Sequence, residues 1–159
     1  MFKRDTYRDW RSGMKTFRIY TAGKMYGLSF DEQMNWRKQI ENKIRVLSDV
    51  SLQFIHPPLF YKYDEKNHQT EREVKEWELN QIRNSDIVIV SLDGVNDSIG
   101  THFELSTADA VNSFGNKFIY IIGIGKSKEP LHPWIEASLF RKEENYADAA
   151  EYITNYLLI

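Results

Sequence analysis

The chain has 159 residues, 42% hydrophobic and 28% charged, with 21 basic against 23 acidic side chains. That length suffices for one domain with a sizeable core, and a net charge of -2 offers no field to attract a nucleic-acid backbone. With no cysteine in it, disulfides, thiolate metal sites and a cysteine nucleophile are excluded. The longest apolar runs, around Ile87–Leu92 and Phe118–Ile124, are too short to cross a bilayer, and MFKRDTYRDW has no apolar core to act as a signal peptide. The expectation is a cytoplasmic protein with neither membrane nor nucleic acid as partner.

Residues 1–13 carry Lys3, Arg4, Arg8 and Arg11 with Asp5 and Asp9 in no clear period. They read as a flexible extension in which Trp10 is the residue able to dock, ahead of a single domain over 14–159. Phe17–Thr21 is a short β-rich run ending at Ala22-Gly23. Phe30, Met34, Ile40, Ile44 and Leu47 then share one helical face, and Ser29 with Glu32 forms a capping box ahead of them. Ser51–Ile55 reads as a second strand halted by Pro57-Pro58. A long aromatic loop, with Phe60, Tyr61 and Tyr63 available to cover a ligand, leads to Thr70, which with Glu73 caps a helix to about Arg83. Ile87–Leu92 is a continuous apolar run, as expected of a strand buried on both faces. Thr101 with Glu104 reads as a third capping box, opening a helix that ends at Gly115. Phe118–Ile122 is a fourth strand, a fifth lies near Leu139–Arg141, and a last helix runs from about Tyr146 to Leu158.

Strands alternating with helices, the strands apolar throughout, predict an α/β fold: a flavodoxin-like or Rossmann-like parallel sheet of about five strands with helices on both faces. Ligands of such sheets bind beyond the carboxyl ends of the strands. Gly23, Gly27, Gly94, Gly100, Gly123 and Gly125 follow strands on this reading, where glycine permits tight turns and close approach to a ligand.

Nucleotide-binding and zinc motifs of the GxGxxG, GxxxxGK[ST] and HExxH types do not occur, and His56, His68, His102 and His132 lack metal-ligand spacing. No metal and no cofactor is expected. What gathers at strand ends is carboxylate: Glu78, Asp93, Asp97 and Glu104. Two carboxyls flanking a ligand suit glycosyl transfer, one attacking or stabilising an electron-poor anomeric carbon while the other manages the leaving group's proton. Placed in the first turn of a helix, Glu104 is expected to stay ionised near neutral pH. Taken alone, it reads first as a capping residue, and Glu78 as a solvated helix residue.

Ile19-Tyr20-Thr21-Ala22-Gly23, the run Ser85–Gly94, and Gly100-Thr101-His102-Phe103-Glu104 together resemble the nucleoside 2-deoxyribosyltransferase family over roughly Lys15 to Ile122. Ala108, Ala110 and Gly115-Asn116-Lys117-Phe118-Ile119 are similar to that family's alanine-rich helix and the strand after it. The resemblance implies catalytic roles for four residues. Glu104 matches the nucleophile that forms a glycosyl ester, and Tyr20 the tyrosine that orients it. Glu78 stands where an aspartate commonly exchanges a proton with the base, and Asp97 is a further acid for the base or sugar. Gly23, Asp93, Ser98, Gly100 and Thr101 are the implied substrate-binding positions.

The implied activity is cleavage of the N-glycosidic bond of a (deoxy)nucleoside and transfer of the sugar to another free base. The chain departs from the family in having Lys24 after Ala22-Gly23, in the extra residue Ile99, and in lacking a clear counterpart of an asparagine lent by a neighbouring subunit. Ser98–Glu104 also aligns without a gap to the related nucleotide N-hydrolases, in which the serine holds a 5'-phosphate and water replaces the second base. A nucleoside 5'-monophosphate hydrolase is therefore the alternative, and a non-catalytic nucleotide-sensing domain is another. A homo-oligomer with shared active sites is the implied assembly.

Overall fold

The computed structural model describes residues 14–64 and 68–159. The extension 1–13 with Trp10, and the side chain of Tyr63, lie outside the described residues.

The strands are β1 (Phe17–Ala22), β2 (Leu52–Ile55), β3 (Ile87–Ser91), β4 (Tyr120–Ile124) and β5 (Arg141–Glu143), and all pair in parallel in the order β2-β1-β3-β4-β5. Parallel strands need crossovers, and the helices supply them: α1 (Phe30–Leu47), α2 (Pro57–Asp64), α3 (Glu71–Arg83), α4 (Ile99–Phe114), α5 (Pro133–Ser138) and α6 (Tyr146–Tyr152). This is the flavodoxin-like order, and α6 runs on into a π-type turn over Ile153–Leu157.

Alternation along β3 divides the core. Ile87 and Ile89 pack with Ile40 and Ile44 of α1 and Ala149 and Ala150 of α6 on one face. Val88 and Val90 pack with Ile82 of α3 and Leu105 and Ala108 of α4 on the other. The Ser29–Glu32 and Thr70–Glu73 capping boxes are both formed. From β1 the chain crosses to β2 on one side, then returns past β1 to β3. The connections leaving β1 and β3 thus diverge, and the crevice between them is where such a sheet receives its ligand.

Four expectations need correction. Pro57–Asp64 is a helix and not part of a long loop. Proline in a helix's first turn forfeits an N–H that has no intrahelical partner anyway, so Pro57-Pro58 starts a helix as readily as it stops a strand. The Phe60 ring stacks on Trp77 with centroids 3.5 Å apart, which makes it part of the packed body rather than a cover. The fourth strand starts later than Phe118 because the Asn112 side chain takes both backbone groups of Ile119 (N to Oδ1 2.6 Å, Nδ2 to O 2.8 Å), removing that residue from the ladder. The fifth strand likewise starts later, at Arg141, after α5 and the Leu139 cap that ends it.

Glycine is required at two loop positions. Gly94, after β3, has φ +64, a left-handed conformation that side chains disfavour. At Gly23, after β1, an added Cβ would lie 2.9 Å from Trp36 Cζ2. Gly123 lies inside β4 and Gly100 inside α4, so those two do not follow strands.

Candidate active site

A cleft of about 1160 Å3 opens beyond the carboxyl ends of β1 and β3. The turn after β1 forms part of it through Gly23, Lys24, Met25 and Tyr26, held in shape by Gln33, whose Nε2 donates to the Met25 and Leu28 carbonyls at 3.0 Å each. Tyr61 of α2, Glu78 of α3, Asp97 of the short turn Val95–Asp97, and Ser98, Gly100, Thr101 and Glu104 also line it.

The chain therefore brings Glu104, Glu78, Asp97, Gly23, Ser98, Gly100 and Thr101 to one cavity. Tyr20 lies beneath it, fully buried, and donates its phenol O–H to Glu104 Oε1 at 2.7 Å. Asp93 does not join them. Its carboxylate acts instead on Tyr146 of α6, whose hydroxyl pKa burial raises first and Asp93 raises further.

Glu104 is not a capping residue. Ser98 is the N-cap of α4, Thr101 lies inside the helix with its hydroxyl 2.8 Å from that of Ser98, and Glu104 stands beyond the first turn with its side chain turned inward. The helix dipole acts over the first turn and does not hold it ionised. Burial dominates and pushes the Glu104 carboxyl up to about 8; the charge of Glu78 adds to this, while the Tyr20 hydrogen bond and Arg37 oppose it. Burial likewise raises Glu78 to about 7, against the pull of Arg37 and with the help of Glu71. Glu104 Oε2 and Glu78 Oε1 are buried without a hydrogen-bond partner. Carboxyl oxygens left bare in a cleft are free to meet a ligand, and groups with perturbed pKa values cluster where chemistry is done.

Tyr61, expected from the sequence as a residue able to cover a ligand, does line the cleft, whereas Lys24 and Gln33, and Arg37 behind them, were not anticipated there. Arg37 had a signal: it falls on the apolar stripe Met34, Ile40 and Ile44 of α1, and all four are buried. No group of three His, Asp or Glu among the described residues is arranged to hold a metal ion.

No family model and no curated protein matches the chain. Solved structures do. A 2-deoxyribosyltransferase from Bacillus psychrosaccharolyticus matches with TM-score 0.61 at 19% identity, over 85% of this chain and 91% of that one. A conserved protein from Enterococcus faecalis V583 matches with TM-score 0.61 at 14% identity, over 90% and 100% of the two chains. A CMP N-glycosidase from Clostridium botulinum matches with TM-score 0.54 at 19% identity, over 88% and 99%. At such identities the likeness is one of fold. The chain has the five-stranded parallel α/β fold of these proteins along nearly its whole length.

Proposed function

We propose that the protein cleaves the N-glycosidic bond of a nucleoside through a glycosyl ester on Glu104 and passes the sugar to a second free base. The observation that carries this reading is the pair of buried carboxyls, Glu104 and Glu78, facing one cleft while Tyr20 engages only one oxygen of Glu104. The fold shared with a deoxyribosyltransferase and a CMP N-glycosidase supports it.

In the proposed reaction Glu104 Oε2 bonds to C1' as the C1'–N bond breaks, and the leaving base takes the bonding electron pair and a proton from Glu78. A second base, giving its proton to the Glu78 carboxylate, then attacks C1' and frees Glu104. The productive form has Glu104 ionised and Glu78 protonated, so the rate should rise with pH as Glu104 loses its proton and fall as Glu78 loses its own. Positive charge developing at the sugar draws Glu104 towards the anion. Tyr20 fixes the rotamer of the nucleophile and stabilises its charge.

A second reading, hydrolysis of a nucleoside 5'-monophosphate, is favoured by the hydroxyls of Ser98 and Thr101 and the ammonium of Lys24 in the same cleft. A homo-oligomer completing the cleft is part of the proposal: Tyr26 and Ile99 line it yet stand 94% and 72% exposed. The test is a panel of nucleosides and their monophosphates, with and without a second base, scored by chromatography. Base exchange supports transfer, release from monophosphates alone supports the second reading, and ligand binding with no base released refutes both.

A further inference from the structure

Arg37 is fully buried. Its Nε donates to the Thr21 carbonyl at 3.3 Å, Nη2 to the Gly23 carbonyl at 3.2 Å and Nη1 to the Gln33 carbonyl, and its Cζ lies 4.6 Å from the centroid of the Trp36 ring. Among the described residues no carboxylate oxygen comes within 4.0 Å of this guanidinium. Burying a cation with no ion pair is costly, and carbonyl dipoles offset the cost only in part. Three neutral acceptors would serve as well for a neutral donor, so backbone clamping does not by itself account for a charge here.

We propose that Arg37 is a positioning residue whose buried guanidinium, pinned under the cleft by three carbonyls, is the internal counter-charge of the Glu78–Glu104 pair. This rests on the reading of that pair as the reacting carboxyls. Four groups on the surrounding elements interact electrostatically with Arg37: Glu104 of α4, Glu78 of α3, Tyr20 of β1, and His56, which follows β2. Its charge lowers both carboxyls against the upward push of burial. The other groups acting around the pair are Glu71 of α3, which raises Glu78, and Tyr61 of α2, whose hydroxyl is raised by burial and then by Glu78, Glu71 and Glu104; Asp97 and Lys24 line the same cleft. The clamp on Thr21 and Gly23 fixes the charge in place and shapes the turn that forms one side of the cleft.

The test is 13C NMR titration of the Glu78 and Glu104 carboxyls in the ligand-free protein, with the pH profile of base release beside it. Arg37→Gln keeps amide donors and removes the charge. It should move both carboxyl midpoints up by roughly one pH unit or more, the scale of losing a nearby opposite charge, and the acid limb of base release should move with them. Arg37→Lys keeps the charge with fewer donors and should leave the midpoints near wild type. Arg37→Met replaces the glutamine variant if that one does not fold. Midpoints unmoved on loss of the charge, or moved as far by lysine as by glutamine, overturn the proposal and leave Arg37 a backbone clamp. If the midpoints move as expected but the wild-type protein releases no base from any nucleoside, the proposed reaction fails while the role of Arg37 stands.

Discussion

Glu104→Gln separates the chemistry of this side chain from its cost to the fold. Glutamine retains the oxygen that accepts from Tyr20, and its amide replaces the buried Oε2 that has no partner. The wild-type carboxyl titrates at about 8 in the folded chain against 4.5 ordinarily. A folded-state pKa raised in this way leaves stability intact below pH 4.5 and erodes it as pH rises towards 8, because unfolding then releases a proton. The loss is about 1.4 kcal/mol per pH unit and levels off at roughly 3–5 kcal/mol above the folded-state value. Glutamine has no such slope. Urea unfolding at several pH values between about 5 and 8 should therefore show the variant gaining on the wild type as pH rises, by several kcal/mol at the alkaline end. Glu78 is present in both proteins and contributes to both curves. The same variant should release no base, since an amide is a poor nucleophile. A stability difference that stays constant across this range would refute the argument that burial holds Glu104 neutral, and wild-type turnover by the variant would refute its role as nucleophile.

Tyr20→Phe removes the O–H on Glu104 Oε1 and should raise that carboxyl further; a lost bond to a charged group is worth about 1.5–3 kcal/mol, so base release near neutral pH should fall roughly 10- to 100-fold, with the deficit closing as pH rises. An equal deficit at every pH would mean that the phenol acts through packing alone. Glu78→Gln should slow cleavage of ordinary nucleosides while sparing a substrate whose leaving group needs no proton, and equal slowing of both would place the proton donor elsewhere. Ser98→Ala should weaken binding of a nucleoside 5'-monophosphate by roughly 1–3 kcal/mol if a phosphate sits at that hydroxyl, and scarcely change binding of the bare nucleoside. Unchanged affinity for both, measured by calorimetry, would remove the phosphate from this part of the cleft.

The sheet was legible because its central strands carry no compromise. A strand such as Ile87–Ser91, buried except at its last residue, must be apolar on both faces, and few other arrangements accommodate such a run in a chain this polar. The capping boxes at Ser29 and Thr70 were legible because their hydrogen bonds close within a few residues. What escaped depends on partners distant in sequence. Proline at Pro57 is compatible with either a stop or a start, and the Asn112 side chain decides the start of β4 from the end of the preceding helix.

Glu104 shows the limit most sharply, for Thr101–Glu104 has the same spacing as Thr70–Glu73. At Thr70 the glutamate is solvated and accepts from the Gln69 and Thr70 N–H groups, which lowers its pKa. At Thr101 the helix has already begun at Ile99 with Ser98 as its N-cap, so Glu104 stands beyond the first turn rather than at the third helical position from which a glutamate can reach back to the N-cap N–H. The freed carboxyl turns inward and meets a phenol 84 residues away in sequence. Local pattern thus assigns Glu104 the environment of Glu73, exposed and acidic, whereas the fold gives it the opposite one. The inversion is what the proposed nucleophilic role requires. A solvated capping glutamate has its oxygens occupied by the backbone and by water, while a buried one with a bare oxygen keeps its reactivity for whatever enters the cleft.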